Sequence, residues 1–214
     1  MLIAAMCVGW VANAQSLETY TYSTGVDESM WITVTDSTNL LVSGSSGDSK
    51  YSSVQSIGFA FPFANSSYTQ FSVNSDGNLR LGPTVTGTAN YLTPFSSANS
   101  SINNPKINFL GCDGYYVDTI HYVFAQNTVD ASNDSLLVVE FCLGTYTSNT
   151  RSQKFKWQVH MYPSGNIVVV FAPVAPNQAP ATSNQKGICF NSGDGWIIAS
   201  DNTATHFTSG SSTT

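Results

Sequence analysis

The chain has 214 residues, only 9% of them charged, and a formal net charge of −6. Ordinary soluble domains carry about 25% charged residues, so serine, threonine and asparagine replace most of the usual surface charge here. Its seven lysines and arginines form no basic cluster, which argues against nucleic acid and against an anionic membrane surface as partners.

The N-terminal residues have the pattern of a secretory signal peptide. An apolar run covers residues 2–11, and Ala12 and Ala14 form an A-x-A-like cleavage site before Gln15. This run is shorter than the roughly 20 apolar residues that span a bilayer, and a buried N-terminal strand is the alternative interpretation. The sequence therefore predicts a signal peptide at 1–14, a secreted or cell-surface domain at 15–201 without membrane insertion, and a flexible tail or linker at 202–214.

Strand-like runs dominate the chain, and no segment shows a sustained helical period. The runs are rich in β-branched and aromatic residues and are separated by Gly, Pro, Asn, Asp and Ser. About a dozen short strands with such turns predict an all-β fold, specifically an antiparallel β-sandwich of jelly-roll-like type. In chain order the runs are LETYTYS, MWITVTD, NLLVSG, IGFAFPF, YTQFSVN, NLRLG, KINFLG, TIHYVFA, DSLLVVEFCLG, KFKWQVHMY, NIVVVFA, KGICF and GWIIAS.

Two hairpins are predicted from alternation of apolar and polar residues. Residues 70–73 and 78–81 alternate on either side of Asp76-Gly77. Because Asp-Gly favours the φ > 0 turn that joins antiparallel strands, Asp76 and Gly77 are predicted to form a structural turn. The second hairpin turns at 163–166 and enters the apolar run 167–171, which we expect to be a central strand covered on both faces.

Three cysteines remain after the predicted signal peptide: Cys112, Cys142 and Cys189. Their spacing fits no zinc site, which needs close pairs. Export allows one disulfide and leaves one thiol over. Alternatively, Cys142 and Cys189 lie in strand-like runs as buried free thiols, which behave as small hydrophobic residues.

The segment IGFAFPFANSSYTQFSVNSDGNLRLG, residues 57–82, resembles the opening of the nidogen-like extracellular domain. It is closer still to a β-sandwich module of secreted and surface proteins of Bacteroidota, in which a GF-x-F strand precedes Y-T-x-F-x-V and an Asn-Gly turn. Asp76-Gly77 replaces that Asn-Gly here, and later segments extend the resemblance over roughly residues 17–200. The resemblance implies adhesion or binding roles and no established chemistry.

Glu140 is the candidate for a catalytic acid. A glycosidase needs two carboxylates on either side of the bond it cleaves, and jelly-roll glucanases typically carry theirs in an E-x-D-x-x-E run, which this chain lacks. A glutamate near a sheet edge or paired with Lys or Arg is the alternative interpretation. His121 and His160 fit exposed or satisfied sheet histidines, and no serine lies in a G-x-S-x-G elbow. We therefore expect no catalytic residue and no enzyme activity.

Two loops and several aromatic residues are the candidates for ligand binding. Asp48 in SSGDSK and Asp194 in NSGDGW could offer oxygen ligands to Ca²⁺, although ordinary turns explain both, so the expectation is no metal and no cofactor. Aromatic faces can stack on sugars, with core packing as the alternative. The candidate ligand-binding residues are Trp31, Tyr115, Tyr116 and Trp196.

These observations predict a non-catalytic extracellular binding or adhesion module of a bacterial secreted or surface protein. Its ligand would be an extracellular glycan or protein. A secreted jelly-roll carbohydrate-active hydrolase and a purely structural spacer are the alternatives.

Overall fold

A computed structural model describes residues 28–41, 46–86, 105–109, 114–145, 154–172, 188–191, 195–200 and 203–208. Within these ranges the chain forms twelve strands and one 3-10 turn at Glu28–Met30. In the same ranges no helix is long and apolar enough to cross a membrane. The strands are β1 (Gln55–Phe63), β2 (Ser66–Val73), β3 (Asn78–Leu81), β4 (Lys106–Phe109), β5 (Gly114–Tyr115), β6 (Tyr122–Val129), β7 (Ser135–Thr145), β8 (Phe155–Met161), β9 (Ile167–Phe171), β10 (Ile188–Asn191), β11 (Gly195–Ser200) and β12 (Thr203–Thr208).

The strands form two sheets in which every pairing is antiparallel. The first sheet has seven strands in the order β1-β2-β3-β4-β10-β11-β12. The second has five, in the order β5-β7-β8-β9, and β6 pairs with β7. This arrangement confirms the predicted all-β antiparallel sandwich.

A single apolar core lies between the two sheets. Alternate residues of each strand enter it, as the period of two predicts, and the hydrophobic effect on this buried area is the main stabilising term. Phe141 and Trp157 stack in the second sheet with ring centroids 4.8 Å apart. The largest buried contributions are Phe61, Phe63, Phe71, Leu79, Leu81, Phe141, Trp157 and Met161.

Three hairpins close with the same turn. In each, the first residue donates its N–H to the carbonyl of the fifth and accepts the N–H of the fourth, over residues 74–78, 130–134 and 162–166. The fourth residue has positive φ in all three: Gly77 at 74°, Asn133 at 66° and Gly165 at 90°. This is a three-residue loop with a left-handed residue before the second strand. The structure thus places Asp76-Gly77 in a turn between β2 and β3.

Replacing Gly77 with valine should therefore lower the free energy of unfolding by about 1 kcal/mol or more, because a β-branched residue resists positive φ. Urea unfolding measures the change. Gly77→Asn is the matched control, since asparagine tolerates the left-handed region and should cost less. Equal losses in both variants would show that backbone conformation is not the cause.

Three predictions about individual segments are wrong. Residues 31–36 and 39–41 form no strand: glutamine side chains bond the main chain of residues 31–36, and the Leu40 N–H bonds to the Val123 carbonyl of β6 without forming a strand ladder. Residues 167–171 form β9, which ends the order of the second sheet among the described strands and leaves Phe171 51% exposed, so this strand is not central. Within the predicted tail, residues 203–208 form β12 beside β11, since TATHFT itself alternates β-branched residues with others.

Candidate functional site

The outer face of the second sheet, which points away from the core, carries a buried polar cluster. Glu140, Gln158 and His160 alternate with the core residues of β7 and β8, yet they are only 7%, 0% and 0% exposed. Buried polar groups must be hydrogen-bonded to avoid a desolvation cost of about 1–3 kcal/mol each. The bonds that satisfy this cluster therefore define what it does.

Gln158 is the centre of the cluster, and its amide makes four hydrogen bonds. Its Oε1 accepts the N–H of Ile32 at 3.1 Å, and its Nε2 donates to the carbonyl of Ile32 at 2.6 Å. The Nε2 also donates to Oε2 of Glu140 at 2.7 Å, and His160 Nε2 lies 3.0 Å from the Oε1. Gln158 therefore hydrogen-bonds both the N–H and the carbonyl of Ile32, as a residue of a neighbouring antiparallel strand would.

The residue that Gln158 grips belongs to an extended segment, residues 31–41, that we name the strap. Further along the strap, Gln126 Oε1 accepts the N–H of Thr35 at 2.7 Å, the hydroxyl of Thr35 at 3.1 Å and the N–H of Asp36 at 3.1 Å. Gln126 is on β6 and Gln158 is on β8, with β7 between them. Two strand spacings are about 10 Å, which three extended residues span. The strap therefore crosses the outer face of β7.

The strap ends in an anchor beside β6. Leu40 donates its N–H to the carbonyl of Val123 at 2.8 Å, and Asn39 Oδ1 accepts the N–H of Val123 at 3.0 Å. Asn39 Nδ2 also donates to the hydroxyl of Tyr116 at 3.0 Å. Leu41 then enters the core, where it is 1% exposed. This apolar end fixes the strap against the sandwich.

Glu140 is held from a second side by Tyr122. The hydroxyl of Tyr122 donates to Glu140 Oε1 at 2.8 Å, so both carboxylate oxygens accept a hydrogen bond. Burial, and then the bond to Glu140, raises the pKa of Tyr122 far above its usual value. The Tyr122 ring stacks on Phe124 at 4.0 Å, and Lys156 Nζ lies 5.6 Å from its centroid. Tyr122 therefore stays a protonated donor across the physiological pH range.

His160 is neutral and carries its proton on Nε2. Gln158 Oε1 can only accept, so the 3.0 Å contact requires Nε2–H as donor. Its Nδ1 has no hydrogen-bond partner within the described part of the chain. Burial lowers the pKa of His160 to about 4, and the nearby Asp130 carboxylate opposes this shift.

Acidification should destabilise the fold through His160. The pKa of His160 is about 4 in the folded chain and about 6.5 in the unfolded chain, so only the unfolded chain binds this proton between those values. The contribution of neutral His160 to the free energy of unfolding is fully present above about pH 6.5. It decreases by up to about 3 kcal/mol as the pH falls towards 4. Urea unfolding at about pH 7 and pH 4.5 checks this. The variant His160→Gln should lose less stability over that interval, and an equal loss in both proteins would contradict the assignment.

A second buried polar cluster lies at the turn between β2 and β3. Asn74 Oδ1 accepts the N–H groups of Asp76 at 3.1 Å and Asn78 at 3.0 Å. Asp76 Oδ1 in turn accepts the N–H of Gly114 at 3.1 Å, and the hydroxyl of Ser75 donates to the carbonyl of Asp48. Asp76 is 4% exposed. The turn is therefore a buried junction between the two sheets and residues 46–52, and not an exposed corner.

The four aromatic residues predicted to bind a ligand lie in different parts of the structure. Trp31 is half-buried at the start of the strap, next to Ile32, and Tyr115 is half-buried in β5. Tyr116 is 0% exposed, so it packs in the core and its prediction as a ligand-stacking ring is wrong. Trp196 lies on β11, and its side chain is outside the described part of the structure.

The ionic and cysteine predictions have mixed outcomes. Asp48 is half-buried and its Oδ1 accepts a hydrogen bond from the Ser49 hydroxyl at 3.2 Å, while Asp194 lies outside the described residues. Within the described residues no group of three or more His, Cys, Asp or Glu side chains could hold a metal ion. Cys142 is a buried free thiol, as one of the two interpretations predicts, and burial raises its pKa. Cys112 and the Cys189 side chain lie outside the described part.

Sequence reasoning missed the two glutamines that hold the strap. No sequence pattern described above singles out Gln126 or Gln158. The available signal is the row of unusual outer-face residues on neighbouring strands, since Phe124, Glu140 and Gln158 are register partners. Polar residues are also the rule on the solvated outer face of an antiparallel sheet, so this signal alone does not show that a segment covers the face.

The fold and this site together define an all-β sandwich that covers one sheet with its own N-terminal strap. The family described as NIDO related matches residues 19–214. The chain therefore belongs to this nidogen-related family, and the resemblance of residues 57–82 to the nidogen-like domain is confirmed, while the likeness to a Bacteroidota module stays a prediction. Membership of the nidogen-related family agrees with the prediction of an extracellular module. Comparisons with curated proteins and with solved structures give no match.

Proposed function

We propose that the chain is a non-catalytic binding or adhesion module of a secreted or cell-surface protein. The observation that carries the proposal is the bonding of Glu140, the candidate acid. Both of its oxygens accept hydrogen bonds from Tyr122 and Gln158, and its side chain is 7% exposed. A general acid must come within hydrogen-bond reach of a substrate atom. The use of Glu140 to orient Gln158 supports a structural role for this acid.

The ligand in this proposal is a protein or a glycan. Gln126 and Gln158 bind main-chain groups of an extended segment, which favours a protein. Trp31 precedes Ile32 in the strap and is half-buried, so part of its side chain is open to a sugar. Calcium binding is proposed from the sequence alone. Of its two candidate residues, Asp48 lies in the described part of the structure.

A glycan array with matched hydrolysis assays tests the proposal. We expect no turnover from the wild-type chain on any glycan, whether or not the glycan binds. Turnover that Glu140→Gln abolishes would establish the alternative of a carbohydrate-active hydrolase. Tyr122→Phe is the matched control, because it removes a hydrogen bond from Glu140 and keeps the acid. Turnover retained in Tyr122→Phe would assign the chemistry to Glu140 itself, and a spacer would show neither binding nor turnover.

A further inference from the structure

We propose that Gln126 and Gln158 form a recognition site for an extended polypeptide main chain, and that residues 31–36 of a second copy can occupy it in exchange for the strap. The proposal deepens the proposed function, on which it rests for the idea that the module binds, by naming the partner. It starts from the bonds that hold the strap.

The two glutamines recognise the main chain of the bound segment. Gln158 binds the N–H and the carbonyl of Ile32, and Gln126 binds the N–H groups of Thr35 and Asp36. These bonds do not depend on the side chains of the bound segment. Residues 32–36 of the strap need no neighbouring strand, since two side chains supply the bonds that a strand ladder would supply.

The Gln158 half of the site is preorganised by its neighbours in the sheet. Glu140 and His160 hold the Gln158 amide in the one orientation that presents an acceptor to Ile32 N–H and a donor to Ile32 carbonyl. Tyr122 fixes Glu140 in turn. A binding group that is already ordered loses little conformational entropy when a partner arrives. The cluster beneath the strap therefore persists as a site whichever chain supplies the strap.

The bonds at this site define which segments can occupy it. Counted from Ile32, the site requires an extended segment with N–H groups at its first, fourth and fifth positions, which excludes proline there. It also accepts a hydroxyl at the fourth position, as Thr35 Oγ1 shows at 3.1 Å from Gln126 Oε1. Every copy of the chain carries a segment with all these features, so a second copy fits the site as well as the strap does.

Exchange replaces each bond by an identical one. The balance between a strap in its own site and a strap in a neighbour's site depends on concentration and on the connecting chain, because the contacts are the same. Weakening the strap of one copy should therefore favour capture of a strap supplied from outside.

A fluorescent peptide with the sequence of residues 28–38 tests this by anisotropy. The acceptor proteins are the wild type, Ile32→Pro, whose own strap lacks the N–H that Gln158 accepts, and Thr33→Pro as the matched control. Thr33 makes none of the bonds to Gln126 or Gln158 that hold the strap. We expect the peptide to bind Ile32→Pro about tenfold more tightly than either other protein, the effect of losing one hydrogen bond from the competing strap.

A peptide with proline at its Ile32 position should bind each of the three proteins about tenfold more weakly than the native peptide, because it lacks the same N–H. Equal affinity of the native peptide for Ile32→Pro and Thr33→Pro, or equal affinity of the two peptides, would refute the proposal. Should Ile32→Pro not fold by circular dichroism, the two peptides are compared on the wild-type chain, where the native peptide must bind more tightly. A negative result here leaves the glycan and hydrolysis assays unaffected, so failure of this inference and failure of the proposed function are distinguishable.

Discussion

Replacing Gly114 with alanine should lower the free energy of unfolding by about 3 kcal/mol or more, and the melting temperature by about 10 °C. A Cβ at this position would lie 1.8 Å from the Ser75 carbonyl oxygen and 2.7 Å from its carbon. These are backbone atoms of the turn between β2 and β3, so no side chain can move aside. Displacing β5 would also stretch the 3.1 Å bond from Gly114 N–H to Asp76.

Gly47→Ala is the matched control for that change. Gly47 bonds to Tyr116 at the same junction, through two backbone hydrogen bonds of 2.9 Å. An added Cβ there would meet only Lys50 Cε, at 3.4 Å, which is the far end of a flexible side chain. We expect Gly47→Ala to unfold within about 1 kcal/mol of the wild type. A Gly114→Ala protein that melted like the wild type would mean that β5 does not pack on the turn as observed.

The strand faces could be predicted from the sequence because the period of two is a local property. Phe71 and Val73 face the core with Leu79 and Leu81, as their alternation indicates. The turn at Asp76-Gly77 was also readable, since positive φ depends on residue type. The burial of this turn could not be predicted, because exposed turns and buried turns use the same residue types, Asn, Asp and Gly. Only the approach of Gly114, distant in sequence, separates the two.

The candidate site was harder to predict for the same reason. Residues 30–36 have the composition of a strand, but a strand also needs a partner with a free edge, and the sequence does not reveal which partner is near. The partner here is a pair of glutamine side chains, 91 and 126 residues away in sequence from the groups they bind. Likewise, the apolar residues 167–171 fit a central strand or an edge strand, and only sheet order decides.

The Gln158→Met variant should lower the free energy of unfolding by about 3 kcal/mol. Methionine keeps most of the volume of glutamine but removes its four hydrogen bonds. Glu140 then keeps one donor, and the His160 Nε2–H has lost its acceptor, in surroundings where an unsatisfied polar group costs about 1–3 kcal/mol. Denaturant unfolding measures the loss. The control is Gln70→Met on β2, whose exposed side chain should make the change nearly neutral, within about 0.5 kcal/mol.

Hydrogen exchange locates the effect of Gln158→Met in the strap. The amides of Ile32 and Thr35 should exchange faster, because the strap dissociates from the sheet before the sheet itself unfolds. Amides in the middle of β7 should keep their protection. Combining Gln158→Met with Ile32→Pro closes a double-mutant cycle. Both changes remove the same bond between Ile32 N–H and Gln158, so their effects should fall short of additivity by about 1 kcal/mol. Additive losses would mean that Gln158 stabilises the sheet through Glu140 and His160 alone and that the strap contributes nothing to its burial.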